Sequence, residues 1–568
     1  MAEPVSAPTD AAHAPTATAH EGPADPDLRY RMWRLAHMPL KADLYRQRLA
    51  SLAMTYRPTV SIVTPVFDTP PEILDRMLRS VANQTYPFWQ HCLVDDGSTS
   101  DWLAGYLERL ASRDPRIRFE RRATNGGIVA ASNHALAMAT GEFISMLDHD
   151  DELDPQALYA VASRLNADPE TDVFYSDFDL LDRGGRHSCG WFLPGWSPEL
   201  LLSLPLVTHL TVYRRALVEL IGGWRAGYEG SQDYDLALRA FSVTSKFLHI
   251  PQVLYHWRQW ERSVAANPTA KPYAYVAAKD AVVDHLLRNG IAGRREDGAY
   301  IGFHAVRHDI LGSPLVSVIV HASAAVGAAG APECVAGLRR FVAQGNYGHV
   351  ELVVVVEADA QQVYESVQQD DTIPCRIVVH RSAEDTAEHF NTGAAASRGD
   401  HLLFLGAAFG LGAPGWLSAL LEFSQQEPIG AVGARILRHD GAFWHTGVVL
   451  PRGVPHVLTV ESLLVNCSAV SGACLMTRRS TFEQAGGFRP SAVVGHADFD
   501  YCLRLRELGY RHLVTPHAVV QFNGPPPDDV SAIDRQKFID TWAARMHVDP
   551  YYNPNFCQEH ACFTLTLG

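Results

Sequence analysis

The chain has 568 residues, of which 47% are hydrophobic and 20% are charged, and its formal net charge is -15. This composition is typical of a folded globular protein and excludes a fibrous or wholly disordered chain, while the length predicts more than one domain. The excess of 63 acidic over 48 basic residues argues against nucleic acid as a partner, because phosphate backbones are bound by clustered Lys and Arg.

The N-terminal residues 1–27 predict a disordered tail, because they are rich in Ala, Pro, Thr and His and have no basic start followed by an apolar stretch. A signal peptide is therefore not expected. The nine cysteines form no CxxC pair and no regular framework. We therefore expect neither a disulfide scaffold nor a zinc site, and we expect a cytoplasmic location.

Residues 28–57 predict a helical segment before the first domain, with aromatic, Leu and basic residues mixed along it. Such a pattern is typical of a helix that packs on the protein or docks a partner. A helix lying on a membrane surface is the alternative.

Two long copies of one strand, helix, strand pattern follow. The first strands read VSIVTPV from Val60 and VSVIV from Val316, and later QDYDLALR from Gln232 matches ADFDYCLR from Ala497. Because the offset between matching motifs is nearly constant, the repeat indicates duplication of one domain. Alternating strands and helices predict two open α/β sheets, mostly parallel, with ligands at the carboxyl ends of the strands.

The predicted organisation follows from this repeat. A first sheet domain is expected over residues 58–265, a helical linker over 266–313, a second sheet domain over 314–545 and a C-terminal tail over 546–568. One segment of the second domain, 402–421, contains no charge, which raises the possibility of a membrane span. Its glycines and proline favour a buried strand, a turn and the start of a helix instead.

Asp95 and Asp96 lie in the motif VDDGS, at the end of a predicted strand. Carboxylates in that position can accept hydrogen bonds from a nucleobase or a ribose. The same Asp-Gly sequence is also ordinary turn chemistry.

Asp148, Asp150 and Asp151 lie in the motif ISMLDHDD, where an apolar strand ends in three acids. Like charges this close repel one another unless a cation neutralises them, and oxygen ligands suit a divalent ion that bridges to substrate phosphates. The alternative is a solvated loop that caps the next helix at Asp154 and Pro155.

Asp233 lies where a loop enters a helix, and His256 follows it in the motif YHW. A carboxylate at a helix start often does no more than compensate the helix dipole. A lone His is more often a packed residue than a ligand, so both signals are modest in isolation.

Together, these motifs resemble glycosyltransferase family 2, the inverting enzymes of the GT-A fold, over residues 58–263. The resemblance is carried by TPVFDTP from Thr64, SVANQTYP from Ser80, VDDGS, NGGIVAASNHAL from Asn125, DHDDEL from Asp148 and GSQDYDLALR from Gly230. YSDFD from Tyr175, WSPELLLS from Trp196 and DPYYNPNF near the C-terminus are similar to the two-domain bacterial enzymes that build O-antigen and other surface polysaccharides.

The resemblance implies a role for each matching residue. It implies Asp233 as the catalytic base, donor binding by Pro65, Asp68, Asp95, Asp96, Asn125 and Asp148, and metal binding by Asp148, Asp150 and His256. The implied cofactor is Mn²⁺ or Mg²⁺, which offsets charge on the leaving diphosphate while the base takes a proton from the acceptor hydroxyl. The implied partners are a nucleotide-sugar donor and a glycan or lipid-linked acceptor, with peripheral contact to the inner membrane surface and no spanning helix.

The second copy has lost the implied metal site. The changes are Asp95 to Val356, Asp96 to Glu357, Asp148 to Gly406, His149 to Ala407, Asp150 to Ala408 and His256 to Gln521, whereas Asp233 is matched by Asp498. We therefore expect a catalytic first domain and a degenerate second domain that packs on it or holds the growing glycan.

Two other functions remain as alternatives. A nucleotidyltransferase would also combine such a sheet with paired Asp and a metal, but it needs a basic, Gly-rich loop where this chain has PVFDTPP. A non-catalytic glycan-binding or scaffold protein would suit the degenerate second copy and the 11 Trp and 20 Tyr, but it would not need the acidic motifs of the first copy.

Overall fold

The computed structural model of the chain describes most of it. It covers residues 25–259, 272–322, 330–358, 361, 373–380, 385–406, 409–451, 454–458, 463–523, 532–546, 548–558 and 564–566. Most of the predicted N-terminal tail, residues 1–24, lies outside the described residues.

The described helices alternate with strands over most of the chain. They are α1 (Pro26–His37), α2 (Lys41–Ala53), α3 (Pro71–Ala82), α4 (Asp101–Arg113), α5 (Gly127–Met138), α6 (Ala157–Ala167), α7 (Pro198–Leu201), α8 (Arg215–Leu220), α9 (Gln232–Phe241), α10 (Pro272–Arg288), α11 (Gly330–Ala343), α12 (Thr386–Ala396), α13 (Trp416–Ser424), α14 (Arg479–Gln484), α15 (Ser491–Val494), α16 (Ala497–Glu507) and α17 (Ala532–Trp542).

The strands of the first half are β1 (Val60–Val66), β2 (Trp89–Asp95), β3 (Ile117–Arg121), β4 (Phe143–Met146), β5 (Glu152–Leu153), β6 (Val173–Leu181), β7 (His187–Trp191), β8 (Thr211–Arg214), β9 (Phe247–Arg258), β10 (Gly293–Asp297) and β11 (His304–His308). Those of the second half are β12 (Val316–Ala322), β13 (Val350–Glu357), β14 (Cys375–His380), β15 (His401–Leu405), β16 (Phe409–Gly412), β17 (Ile429–Arg438), β18 (Phe443–His445), β19 (Val448–Val449), β20 (His456–Val457), β21 (Val465–Cys467), β22 (Cys474–Arg478) and β23 (Arg511–Phe522).

The first sheet has the strand order β3-β2-β1-β4-β8-β6-β9-β5, with β7 paired to β6. Strands β1 to β4 are parallel, whereas β8 is antiparallel to both of its neighbours. Every residue of β1 and β2 is buried, because helices cover both faces, as a parallel sheet requires. The carboxyl ends of β1, β2 and β3 therefore meet at one edge.

The second sheet repeats this topology strand for strand. Its order is β14-β13-β12-β15-β22-β17-β23-β16, and β12, β13 and β14 are parallel like β1, β2 and β3. Each sheet has one hydrophobic core on each face. The predicted fold class, two tandem α/β domains with mostly parallel sheets, is confirmed.

The uncharged segment 402–421 forms most of β15, then β16 and the first part of α13. The apolar residues of 402–405 and 416–421 pack in the core of the second domain. Among the described residues no helix combines the length and the apolar character needed to cross a bilayer. The strand, turn and helix predicted for this segment agree with the structure.

The N-terminal segment forms two helices that break near Pro39. Helix α1 buries Tyr30 and Trp33 against the first domain, as expected of a packed helix. Leu35 and Leu40 are nevertheless 80% and 71% exposed, so the segment also presents apolar side chains to solvent.

The predicted helical linker contains more than a helix. After α10, the strands β10 and β11 form an antiparallel pair, and Arg307 of β11 donates through Nε to Glu422 of α13 at 2.7 Å. The linker therefore also contacts the second domain through a charged hydrogen bond.

The segment 546–568 differs from the simple tail that was expected, because its described residues pack on both domains. Nδ2 of Asn553 donates to both carboxylate oxygens of Asp177 at 3.0 Å, and the amide of Gly195 donates to the carbonyl of Pro550 at 2.7 Å. These polar contacts join the end of the chain to residues more than 350 positions earlier, which no local sequence pattern reports.

Candidate functional site

The loop after β4 carries three carboxylates. Oxygen atoms of Asp148, Asp150 and Asp151 all lie within 4.8 Å of one another. The first two side chains are half-buried, whereas Asp151 is only 1% exposed. The structure therefore brings together the three acids of the motif ISMLDHDD at the end of a buried strand.

Strand β9 holds this loop from behind. The hydroxyl of Tyr255 donates to Oδ2 of Asp151 at 2.6 Å, and the amide of Arg258 donates to Oδ1 at 2.7 Å. The same hydroxyl accepts the amide of Asp148 at 3.3 Å, and Nε of Arg258 donates to the carbonyl of Asp150 at 2.7 Å. The positions of all three acids are thus set by two residues of one strand.

The acidic loop has the electrostatics of a cation site. Burial raises the pKa of Asp151 well above its usual range, and the neighbouring charges of Asp150 and Asp148 raise it further. A divalent cation among the three carboxylates would relieve both effects, and an all-oxygen donor set suits Mn²⁺ or Mg²⁺. The residues present therefore fit the metal that the sequence implies.

Asp95 and Asp96, at the carboxyl end of β2, hold neighbouring loops. Oδ1 of Asp95 accepts the amide of Ser98 at 2.9 Å, and its Oδ2 lies 3.2 Å from Nε of Arg121. Asp96 accepts the amide of Gly127 at 2.8 Å and lies 3.2 Å from Nη1 of Arg122. Arg121 is the last residue of β3 and Arg122 follows it. Sequence reasoning missed both, although adjacent arginines at the end of a strand are a visible signal.

The other predicted donor residues line the same edge. Pro65 is buried in β1 opposite Val94. Asn125 is exposed, and its Oδ1 accepts the amide of Gly127 at 3.0 Å. His149, between the acids, lies with Nδ1 2.9 Å from Oγ1 of Thr69.

Asp68 holds the loop after β2. Its backbone is left-handed, with φ of +45°, and its carboxylate accepts the amides of Thr99 and Ser100 at 2.9 and 3.2 Å. Burial opposes the change, but these amides and the two hydroxyls lower the pKa of Asp68. The side chain is therefore occupied in loop geometry that shapes the edge of the site.

Asp233 lies in the first turn of α9 and is half-buried. Its Oδ1 accepts the amide of Tyr234 at 2.8 Å, and burial raises the pKa of Asp233. Burial raises the pKa of Tyr213, and the nearby charge of Asp233 raises it further. Tyr213 lies on β8 opposite Ile144 of β4, so Asp233 is placed near the strand that leads into the acidic loop.

His256 belongs to a different cluster from the acidic loop. Its Nδ1 lies 2.6 Å from Oδ1 of Asp179, and its Nε2 lies 3.7 Å from Oδ2 of Asp154. Asp179 also accepts the hydroxyl of Tyr30 at 2.6 Å and lies 2.8 Å from Nδ1 of His187.

The charge on His256 follows from these contacts. Burial opposes protonation, but Asp179 and Asp154 raise the pKa of His256 to about 9. A protonated imidazole with a carboxylate at each nitrogen has no lone pair for a metal. Asp151, not His256, is thus the third ligand candidate beside Asp148 and Asp150.

The second domain lacks the acidic loop in its described part. Gly406 occupies the position of Asp148, and Ala407 and Ala408 lie outside the described residues. Asp498 accepts the amide of Gly472 at 2.8 Å and that of Phe499 at 2.9 Å. The hydrogen bond with Gly472 gives Asp498 a structural role in the loop between β21 and β22.

Comparison with known proteins agrees with the duplication. Residues 61–219 match the family model for glycosyl transferase family 2, and residues 322–540 match that for glycosyltransferase-like family 2.

Three relatives span different shares of the chain. An uncharacterized protein of Sinorhizobium fredii, y4gI, is 33% identical over 543 residues, or 90% of this chain and 59% of that protein. The O-antigen biosynthesis protein RfbC of Myxococcus xanthus is 32% identical over 94% of this chain and 43% of its own length. WcaA of Escherichia coli K12, named as a glycosyl transferase of colanic acid biosynthesis, is 37% identical over 38% of this chain and 78% of its own length. The chain thus spans about half the length of the first two relatives.

Proposed function

Since the chain belongs to glycosyltransferase family 2, we propose that its first domain transfers a sugar from a nucleotide-sugar donor to a hydroxyl of a glycan or lipid-linked acceptor. The observation that carries this proposal is the group of three carboxylates at the end of β4, held by Tyr255 and Arg258. The names of RfbC and WcaA point to surface polysaccharide as the product.

The donor would lie across the carboxyl ends of β1, β2 and β3. Asp95 and Asp96 line this edge and would accept hydrogen bonds from the base or the ribose. Arg121 and Arg122 lie beside them and keep the local charge balanced. The diphosphate would then extend toward the acidic loop, as ligands of such sheets do at the strand ends.

Asp148 and Asp150, with Asp151 behind them, would hold a divalent cation, Mn²⁺ or Mg²⁺. A cation bound there supplies positive charge that offsets the charge developing on the leaving diphosphate. The role of the chain itself is to position the loop that carries the three carboxylates. Tyr255 and Arg258 do this by direct hydrogen bonds to the carboxylate of Asp151 and to the backbone of Asp148 and Asp150.

Asp233 would act as the general base. Burial raises the pKa of Asp233 toward neutral pH. A general base is most effective when its pKa lies near the pH at which the enzyme works. As the acceptor oxygen attacks the anomeric carbon, its proton passes to the carboxylate of Asp233 and the bond from that carbon to the diphosphate oxygen breaks. A single in-line displacement inverts the configuration of the carbon.

The second domain would not catalyse transfer. Val356 and Gly406 stand where Asp95 and Asp148 stand in the first domain, so neither the donor carboxylate nor the first acid of the loop is present. Asp498 is retained, and its hydrogen bond with Gly472 accounts for its retention without catalysis.

The test is nucleoside diphosphate release by the full chain, supplied with a panel of sugar nucleotides, an acceptor preparation and Mn²⁺. Asp233→Asn should reduce turnover by about 10²- to 10⁴-fold, the usual contribution of a general base. On our proposal, Asp498 only positions Gly472. Asp498→Asn keeps an oxygen that can accept the amide of Gly472, so turnover should stay within about twofold of wild type. Equal losses in the two variants would contradict the division of roles between the domains.

A further inference from the structure

A cluster of histidines lies at the carboxyl edge of the second sheet. His321, Glu357 and His380 lie at or next to the ends of three adjacent parallel strands, β12, β13 and β14. Glu357 is opposite His380, and His321 is opposite Val355, two residues before Glu357. Because side chains alternate between faces with a period of two, all three lie on one face. Helix α12, which carries His389, packs on these strands.

The ligand atoms of three of these side chains lie close together. Ligand atoms of His321, Glu357 and His389 all lie within 4.8 Å of one another, and Nε2 of His321 is 3.9 Å from Oε1 of Glu357. The rings of His321 and His389 have centroids 3.9 Å apart, and those of His380 and His389 are 4.6 Å apart. Two strands and a helix thus each contribute a donor to one small volume, with a fourth donor beside it.

Three nitrogen atoms in this cluster have no hydrogen-bond partner. Nε2 of His321, of His380 and of His389 are each buried without a partner among the described residues. His389 is fully buried, and its Nδ1 lies 2.8 Å from the carbonyl of Asp385. Because that carbonyl can only accept, Nδ1 carries the proton and the lone pair of Nε2 is directed into the cluster.

The other two histidines of the cluster have different surroundings. Nδ1 of His380 lies 2.9 Å from Oγ1 of Thr392, and its Nε2 lies 3.6 Å from Glu388. Burial lowers the pKa of His321 to about 4, and the neighbouring His389 and His380 contribute to this. Neutral imidazoles with free lone pairs are the form that binds a metal ion.

Comparison with the first domain indicates that the histidines of this cluster stand where the first domain has other residues. By the strand registers and by the matched pair Asn133 and Asn391, the equivalent positions are Pro65, Asp96, Arg122 and Ala131. An ion pair of Asp96 and Arg122 thus becomes Glu357 and His380, while a proline and an alanine both become histidines. Loss of function by drift would not be expected to place three histidines and one carboxylate together.

We propose that the second domain binds one Zn²⁺ ion through Nε2 of His321 and of His389 and the carboxylate of Glu357, with His380 as the fourth ligand. Three imidazoles and a carboxylate are ligands that zinc prefers, and a site closed by four protein ligands is of the structural kind. The ion ties β12, β13, β14 and α12 together at the edge that, in the first domain, faces the donor. This proposal departs from the expectation, drawn from the lack of paired cysteines, that the chain has no zinc site, because the ligands are histidines that are distant in sequence.

The experiment uses the full chain, stripped with a chelator and titrated with ZnCl₂ against a competing chromophoric chelator. Wild type should bind one equivalent, and Co²⁺ loaded in its place should give the visible absorption of a tetrahedral site. His321→Ala and His389→Ala should each weaken binding by at least about 10-fold, since even outer-shell changes at metal sites cost that much. The exposed histidine of the same domain, His349, provides the matched control His349→Ala, which should bind normally.

Two further measurements keep the test decisive. Glu357→Gln changes the charge of one ligand and little of its shape, so it should weaken binding in a chain whose circular dichroism is unchanged. Asp148→Asn with Asp150→Asn removes the acidic loop of the first domain and should leave the Zn²⁺ equivalent in place. Binding that is absent in wild type, or unchanged in His321→Ala, His389→Ala and Glu357→Gln, would overturn the proposal. A loss in the first-domain variant would also overturn it.

Discussion

Replacing Tyr255 by Phe tests how the acidic loop is held. The ring is only 1% exposed and stacks on His209 with centroids 4.5 Å apart. Phe keeps this packing and removes only the hydroxyl. The change deletes the 2.6 Å hydrogen bond to Asp151 and the acceptor for the amide of Asp148.

The expected magnitude follows from the lost contact. A hydrogen bond to a charged group contributes about 1.5–3 kcal/mol, and loss of a partner that orients a metal ligand weakens metal binding by about 10- to 100-fold. In this variant Asp151 still accepts the amide of Arg258, so its carboxylate should become more mobile but stay in the loop. We therefore expect the Mn²⁺ concentration for half-maximal turnover to rise by about 10- to 100-fold, with turnover at saturating Mn²⁺ close to wild type.

The assay is nucleoside diphosphate release measured over a Mn²⁺ titration. Tyr175→Phe is the matched control, because Tyr175 is also buried in the first sheet but its hydroxyl donates to the carbonyl of Pro194 at 2.8 Å. An unchanged Mn²⁺ dependence in Tyr255→Phe would refute the reasoning. A loss of turnover that saturating Mn²⁺ does not restore would refute it too.

Two further predictions concern stability. The pKa of His256 is raised from its ordinary value of 6.5 to about 9 in the folded chain, so its ion pair should stabilise fully below pH 6.5 and lose that effect as pH rises through about 9. His256→Gln should flatten the dependence of Tm on pH in this window. Glu199, which accepts from Arg511 and Asn466 at 2.6 Å across the two domains, is mostly buried. Glu199→Ala should therefore lower the free energy of unfolding by about 1–3 kcal/mol.

The second of these predictions has a control within the chain. Arg545 pairs with Glu507, where both side chains are at least half exposed, and Arg545→Ala should have little effect on stability. A flat wild-type profile, or Glu199→Ala with wild-type stability, would contradict the ion-pair assignments.

The sequence predicted the repeat and the fold because both depend on local patterns. Runs such as 60–66 and 316–320 are apolar on both faces, which is the signature of a buried parallel strand. The three acids of the loop were also visible, because Asp148, Asp150 and Asp151 are near neighbours in the chain. Features carried by consecutive residues were therefore accessible before the structure.

The placement of His256 depends on strand register, which the sequence does not encode locally. In the parallel pair β6 and β9, Asp179 is directly opposite His256. The carboxylate of Asp179 therefore lies 2.6 Å from Nδ1 of His256. A shift of one residue would have turned the ring to the other face of the sheet. Tyr255, one residue earlier, points to the other face and reaches Asp151. Which of two adjacent residues faces the acidic loop was decided by pairing alone.

The carboxyl edges of the two sheets carry different side chains. In the first domain, Asp96 and Arg122 form a charged pair at the edge where we propose that the nucleotide-sugar donor binds. In the second, Glu357 and His380 occupy those positions with His321 and His389 beside them, and the ligand atoms of His321, Glu357 and His389 lie within 4.8 Å of one another. On the proposed division of roles, Asp498 would not support transfer there, because its carboxylate accepts the amide of Gly472 and the histidine rings occupy the edge that corresponds to the proposed donor site. Retention of one catalytic residue type is therefore weaker evidence of activity than the chemistry of the side chains around it.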